Sequence, residues 1–322
     1  MPNIVILGCG VLGRRHLEAL GALKTPMVIW GIDPSDEALS LAEKHFMSTN
    51  QNNLHNLSLA TCINKLPRNV DIVISATNSS ARLKSLETML NSVNTDHLVL
   101  EKVLFSRLSD FDLADELFKG KFQDIWVNCP RRANDTYARI KDKIRNARRV
   151  DIKVSGGSWG LASNSIHFID LYAFLTDSVL AEVNTSKLEE AIYESKRDGF
   201  IELSGTIECV FNRGKLCLTA DINGPLETEI EINADEKSLK INELEGTVHS
   251  VTKGHSILSD GSIELAPQSQ LTALYVSELL SKSNLPLPGY KESVALHRPF
   301  LHACIEHQQR ILGRELVDCR IT

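Results

Sequence analysis

The residues with most to say about chemistry stand close to the start of the chain. Gly8-Cys9-Gly10-Val11-Leu12-Gly13 directly follows an apolar run, Asn3 to Leu7, and directly precedes a stretch in which Leu17, Leu20 and Leu23 recur on one helical face. A strand, a glycine cluster and a helix in that order form a cradle for phosphate. Gly8 permits the tight turn, Gly10 lets a pyrophosphate approach the backbone, and Gly13 lets helix and strand pack closely. The helix N-terminus adds unpaired N–H groups and a partial positive charge. Asp33 lies 20 residues beyond Gly13, at the end of a second apolar run. Its carboxylate suits a ribose diol and repels a 2′-phosphate, which favours NAD over NADP. Two features pull the other way: Asp33 is placed to cap the turn at Pro34, and Arg14 and Arg15 are within reach of a 2′-phosphate.

The elements that must hold these residues follow from the hydrophobic pattern. Met27 to Ile32, Asp71 to Ala76 and His97 to Leu100 are short apolar runs that read as buried strands. Ser35 is placed to cap a helix over Asp36 to His45, and Ser79 or Ser80 the helix after the third strand. Ser48 to Asn56 is polar and Asn-rich and reads as a loop. Strands apolar on both faces, alternating with helices, describe a parallel sheet covered on two sides. Asp124 to Asn128 is expected to close it. The texture then changes. Tyr137 to Asn146 and Ile166 to Leu175 read as helices, Val150 to Val154 as a strand and Ser155 to Gly160 as a loop. Period-2 strands follow at Ile201–Phe211, Leu216–Ala220, Thr228–Ile232 and Ser238–Ile241, with a hairpin turn at Asn212 to Lys215. Helices near Gln268–Lys282 and Ser293–Leu312 close the chain. The expected fold is α/β: a doubly wound parallel domain over 1–124, then an α+β domain with an open, mainly antiparallel sheet over 125–322, its C-terminal helix free to pack back on the first domain. An apolar sheet face left open would seal a homodimer or homotetramer.

Composition bounds the alternatives. The chain has 322 residues, 43% hydrophobic and 24% charged, with a net charge of −6, which argues against a broad nucleic-acid surface despite the basic run Arg145 to Arg149. No stretch approaches the roughly 18 apolar residues of a membrane span, and the N-terminus lacks the pattern of a signal peptide. Seven cysteines without a CxxC pair indicate neither a metal knuckle nor a redox dithiol, and fit free thiols in a cytoplasmic protein.

Taken in order, Gly8-Cys9-Gly10-Val11-Leu12-Gly13-Arg14-Arg15-His16, Thr77-Asn78, Glu101-Lys102, Val127-Asn128-Cys129-Pro130-Arg131-Arg132 and Gly156-Gly157 followed by His167-Phe168-Ile169-Asp170 resemble the Gfo/Idh/MocA family of glucose–fructose oxidoreductase and inositol dehydrogenase. The resemblance spans nearly the whole chain. It implies an NAD-dependent oxidoreductase of a sugar or polyol derivative, with cofactor contacts from Gly8, Cys9, Gly10, Val11, Leu12, Gly13, Asp33, Thr77, Asn78 and Glu101. The family's Glu-Lys-Pro motif maps onto Glu101-Lys102-Val103, which makes Lys102 the residue beside the nicotinamide. Its Asp-x-x-x-His pair maps onto Ser163 and His167. Both motifs are altered here. Val103 replaces the proline, and a cis bond before a non-proline residue costs about 2.5 to 4 kcal/mol. Ser163 replaces the aspartate, and Asn164 beside it is able to bind a substrate hydroxyl but carries no charge to support the histidine.

Alcohol oxidation needs a hydride acceptor and a proton acceptor. His167 suits the second role because an ordinary imidazole titrates near pH 6.5, and Lys102 suits the stabilisation of a developing alkoxide. Asp170, one turn on from His167, is placed either to orient the imidazole or to cap a neighbouring loop. Arg131 and Arg132 are candidates for a substrate carboxylate or phosphate, or for solvent. Two other readings stay open: an NAD(H)-binding sensor or scaffold without turnover, and a reductase of a non-sugar substrate of the biliverdin reductase kind.

Overall fold

The computed structural model describes residues 1–50, 53–251, 256–281 and 284–322. The chain divides into two units. The first comprises residues 1–105, 109–128 and 266–290, the second 106–108, 129–265 and 291–322.

The first unit is built on six parallel strands: β1 (Asn3–Leu7), β2 (Val28–Ile32), β3 (Asn56–Ala60), β4 (Asn69–Ser75), β5 (Asn94–Leu100) and β6 (Asp124–Val127), in spatial order β3-β2-β1-β4-β5-β6. Ile4, Val5, Ile6, Ile72, Val73 and Leu98 are wholly buried, as strands covered on both faces must be. The order reverses between β1 and β4, the switch point at which such sheets bind ligands beyond their carboxyl ends. Helices α1 (Val11–Gly21), α2 (Asp36–Thr49), α3 (Arg82–Leu90) and α4 (Ser109–Phe118) follow β1, β2, β4 and β5 in turn. The Ser35 hydroxyl accepts the Ala38 N–H and caps α2 as expected. Two readings of this region change. The stretch from Ser48 is not all loop, because α2 continues to Thr49 and β3 begins at Asn56; Gln51 and Asn52 lie outside the described residues. Neither Ser79 nor Ser80 caps α3. The cap position is Ala81, and its N–H is taken by the Asn78 side chain at 2.9 Å.

In the second unit α5 (Asp135–Ile144), β7 (Val150–Gly156) and α6 (Leu161–Thr176) come first, and β7 extends two residues into the expected loop. An eight-stranded sheet runs β16-β15-β14-β13-β7-β12-β11-β8. Its members are β8 (Leu180–Leu188), β11 (Gly205–Phe211), β12 (Gly214–Ala220), β13 (Thr228–Ala234), β14 (Lys237–Asn242), β15 (Thr247–Ser250) and β16 (Gly261–Ser262), with the ribbon β9 (Tyr193–Glu194) and β10 (Ile201–Glu202) beside it. All pairings are antiparallel except β7 with β12. The Phe211–Gly214 pair closes the expected hairpin. Ile152, Leu218, Ile207, Ile232 and Ile241 form one buried face. Tyr172 of α6 packs here, stacked on Phe211 with ring centroids 4.1 Å apart and its hydroxyl donating to the Val150 carbonyl at 2.6 Å. The opposite face differs in character. It is polar, carrying Lys153, Lys215, Glu229 and Glu208, with cross-strand ion pairs Lys187–Glu208 at 2.9 Å and Lys240–Glu229 at 2.7 Å. Most apolar residues of the alternation point to the helix side; Val210 and Cys217 are half-buried exceptions on the other face.

A single division at residue 124/125 also gives way. β6 runs on to Val127 and belongs to the parallel sheet, because its backbone completes the ladder of β5. The segment 266–290 with helix α7 (Gln268–Leu280) returns to the first unit and lies against α1. Helix α8 (Tyr290–Leu312) enters the second unit at residue 291. The helix that packs back is therefore α7, not the last one. The expected end of α7 at Lys282 lies outside the described residues.

Candidate functional site

The glycine loop shows which of its glycines the protein needs for itself. Gly8 has φ +95°, and a Cβ there would sit 2.8 Å from the Thr77 nitrogen. A Cβ on Gly13 would come within 1.9 Å of the Gly8 carbonyl oxygen. Gly10 is different: a Cβ on it would meet nothing within 4 Å, and its φ of −63° suits any residue. Packing and backbone conformation give no reason for glycine at 10, whereas a ligand approaching the loop gives one. Gly10 is also the N-cap of α1 and offers no side chain to it. The first intrahelical bond is Arg14 N–H to the Gly10 carbonyl at 2.9 Å, so the N–H groups of Val11, Leu12 and Gly13 precede the helical ladder and can bind an anion.

Asp33 ties this loop to the end of β2. One carboxylate oxygen accepts the Cys9 N–H at 2.8 Å and the other the Ser35 N–H at 2.9 Å. Both sequence readings of Asp33 are therefore compatible, since an ionised carboxylate has about four acceptor sites and two are engaged. Cys9 does less than expected. Its N–H is committed to Asp33, its side chain is buried, and burial, reinforced by Asp33, pushes its thiol up to about 12.

At the carboxyl ends of β4 and β5 a buried arginine organises the backbone. Arg82, 1% exposed, donates to the carbonyls of Thr77, Val103 and Leu104, the last at 2.7 Å. One guanidinium thus clamps the Thr77-Asn78 turn to the bend after Lys102. The Lys102–Val103 peptide is cis although Val103 is not proline.

Glu101 is turned inward, not toward solvent. It is 4% exposed; its Oε1 lies 3.1 Å from His16 Nε2 and accepts from Asn128 Nδ2 at 2.5 Å. His16 Nδ1 lies 2.8 Å from the Thr272 hydroxyl, which also receives Gln268 Nε2 at 3.1 Å, and Gln268 Oε1 accepts from Asn128 at 2.9 Å. The ring joins α1, the ends of β5 and β6, and α7. It holds the residue preceding Lys102 against α1.

In the second unit, His167 lies on α6. Nearly all of that helix is buried; Ser163, Asn164, His167 and Phe174 are its partly exposed positions, a single stripe by helical spacing. Asn164 Nδ2 donates to the Trp159 carbonyl at 2.7 Å. The α6 N-terminus is capped by a residue the sequence reading missed. Glu202, 5% exposed, accepts the N–H groups of Ala162 and Ser163, each at 2.9 Å. A carboxylate therefore does stand one turn before His167, though it comes from β10 and not from position 163.

Three candidates for substrate contact are already engaged. Arg131 forms a fork with Glu243, at 2.8 and 2.6 Å, and stacks 4.2 Å over the Phe168 ring. Arg132 makes a fork with Asp170, at 2.8 and 2.7 Å, and reaches Glu292 at 2.8 Å. Asp170, 1% exposed, is thus bound to Arg132. Burial raises its carboxyl to about 6, opposed by Arg132. Such forks are the preferred pairing of a guanidinium that leaves water, and they assign Arg131, Arg132 and Asp170 to holding the second unit together. Among the described residues no cluster has the make-up of a metal site, and no helix is long and apolar enough to cross a membrane.

No family model matches the chain, and no curated protein matches it. Solved structures share its fold. UDP-N-acetylglucosamine 3-dehydrogenase from Acidithiobacillus ferrooxidans superposes with a TM-score of 0.66 at 15% identity, covering 97% of both chains. The scyllo-inositol dehydrogenase of Lactobacillus casei gives 0.63 at 16%, covering 95% of this chain and 96% of that one. The WlbA dehydrogenase of Bordetella pertussis, solved with NADH and UDP-GlcNAcA, gives 0.63 at 17%, covering 96% of each.

Proposed function

We propose that the protein is an NAD(H)-dependent oxidoreductase that interconverts a secondary alcohol and a ketone on a sugar, a cyclitol or a derivative of one. The observation that carries this reading is the glycine loop: Gly10 is left open where packing does not require it, beside uncommitted N–H groups and an Asp33 carboxylate with acceptor capacity to spare. The fold-level likeness to sugar and inositol dehydrogenases supports the substrate class. The residues fit the dinucleotide. The α1 N-terminus would hold its phosphates and Asp33 its adenosine ribose, with Thr77 and Asn78 flanking it. Asp33 favours NAD, since a 2′-phosphate would meet its charge.

When bound, the nicotinamide supplies the hydride donor or acceptor. The rest falls to side chains. Lys102, held by the Arg82 clamp on one side and by Glu101 on the other, presents a positive charge to the substrate oxygen and stabilises it as alkoxide character develops. His167 takes the hydroxyl proton in oxidation and returns it in reduction. Glu202 keeps the first turn of the His167 helix in place.

The test is a panel of polyols and sugar derivatives followed at 340 nm, with Lys102→Met and His167→Ala beside the wild type. Each variant is expected to lose about 10²- to 10⁴-fold in turnover while binding NADH as before, because the phosphate and ribose contacts are elsewhere. Unchanged turnover in both variants refutes these roles. Tight NADH binding with no turnover of any panel member by the wild type would favour a sensor.

A further inference from the structure

We propose that Asn128 recognises the carboxamide of the nicotinamide, its Oδ1 accepting an N–H from that group. This rests on the dinucleotide reading above and adds a residue to it.

The orientation of Asn128 is decided by its neighbours. Nδ2 faces two acceptors, Glu101 Oε1 at 2.5 Å and Gln268 Oε1 at 2.9 Å. Turning the amide over would set Oδ1 against the Glu101 carboxylate, so nitrogen must face that side. Oδ1 therefore points away from the ring. It is buried, in a side chain belonging to a residue only 2% exposed, and it has no hydrogen-bond partner among the described residues. A buried acceptor left unpaired is costly and uncommon in folded proteins. Every other member of the His16–Glu101–Gln268–Thr272 ring has its bonds to that ring supplied from within. An N–H from a bound ligand would satisfy Oδ1.

Its place identifies the donor. Asn128 directly follows β6, and its N–H donates to the Leu100 carbonyl of β5 at 2.8 Å. It thus stands at the carboxyl edge of the sheet, level with Glu101 and so one residue in register from Lys102. A dinucleotide spans the switch point between β1 and β4. Asp33, on the β2 side, takes the adenosine half, which leaves the nicotinamide half on the β4–β5–β6 side. Neighbouring strands are about 4.8 Å apart, so the ends of β5 and β6 lie side by side there. The carboxamide is the N–H donor on that half of the cofactor.

Calorimetric titration of the full chain with three reduced dinucleotides tests this: NADH, its thionicotinamide analogue, which keeps the NH₂, and its 3-acetylpyridine analogue, which has none. Wild type is expected to bind the first two alike and the third about tenfold more weakly. Asn128→Ala is expected to bind NADH about tenfold more weakly than wild type and to treat NADH and the acetylpyridine analogue alike. Asn128→Ser, which keeps a hydroxyl for Glu101, serves in its place if the alanine variant does not fold. Equal binding of NADH and the acetylpyridine analogue by wild type overturns the proposal. So does discrimination that survives loss of Asn128. If wild type binds no dinucleotide, the cofactor reading itself fails and takes this inference with it.

Discussion

Replacing Asp33 by alanine separates two contributions that one carboxylate makes. The first is internal. The Cys9 N–H, on a residue with no exposure, loses its acceptor at 2.8 Å, and a buried donor left unsatisfied costs about 1 to 3 kcal/mol. The Ser35 N–H is solvent-accessible and turns to water at little cost. The apo protein should therefore unfold in urea with a stability lower by about 1 to 3 kcal/mol. The second contribution exists only with cofactor. A ribose hydroxyl donating to a carboxylate is worth about 1.5 to 3 kcal/mol, or roughly 10- to 150-fold in Kd. NADH affinity should fall by that factor. NADPH affinity should fall far less or rise, because the charge facing its 2′-phosphate is removed. The Kd ratio of the two cofactors, measured by fluorescence titration of wild type and Asp33→Ala, is the decisive quantity. A ratio unchanged by the substitution would refute the ribose assignment, and so would a wild type that already prefers NADPH. A changed ratio with no loss of apo stability would refute only the internal role.

Other outcomes follow from the same geometry. Arg82→Met leaves two buried carbonyls and a part-buried one without their donor, and urea unfolding should show a loss of about 2 to 6 kcal/mol; a loss under about 1 kcal/mol would mean the clamp is dispensable. A thiol reagent at pH 8 should modify exposed Cys62 quickly and half-buried Cys217, whose thiol burial raises, slowly; the five buried cysteines should react only after unfolding. Fast labelling of Cys9, read by peptide mass mapping, would contradict its burial. Burial, aided by Arg310, lowers the His307 imidazole below its ordinary value. Below about pH 6.5 the unfolded chain then binds a proton that the native state resists, so stability falls with acidification in that window. His307→Gln should flatten this part of the pH–stability curve, and an unaltered slope would rule His307 out as its source.

Much of the first unit was legible because its signals are local. β1 begins and ends at the residues the apolar run marked, and Ser35 caps α2 as its type and position imply. The positive φ at Gly8 and the close approach of Gly13 to Gly8 arise within a span of a few residues, and so does the alternation that placed β11 to β14. The hydrophobic period determines which residues turn inward, and a turn residue determines where the chain reverses.

What remained hidden lies in pairings between distant residues, which no local pattern records. Nothing around Arg131 or Arg132 shows that Glu243 and Asp170 await them 112 and 38 positions away, so two cations that read as substrate contacts or solvated charges are found paired inside the second unit. Alternation told that β7 and β11 to β14 each have an apolar side, but only the packed sheet shows that α6 lies on that side and that the other is polar. The return of α7 to the first unit, the capping of α6 by Glu202 and the enclosure of Glu101 between His16 and Asn128 are of the same kind. A charged residue reads as exposed until the fold brings its partner, because the penalty of burying a charge is cancelled only by a group whose position the tertiary structure alone decides.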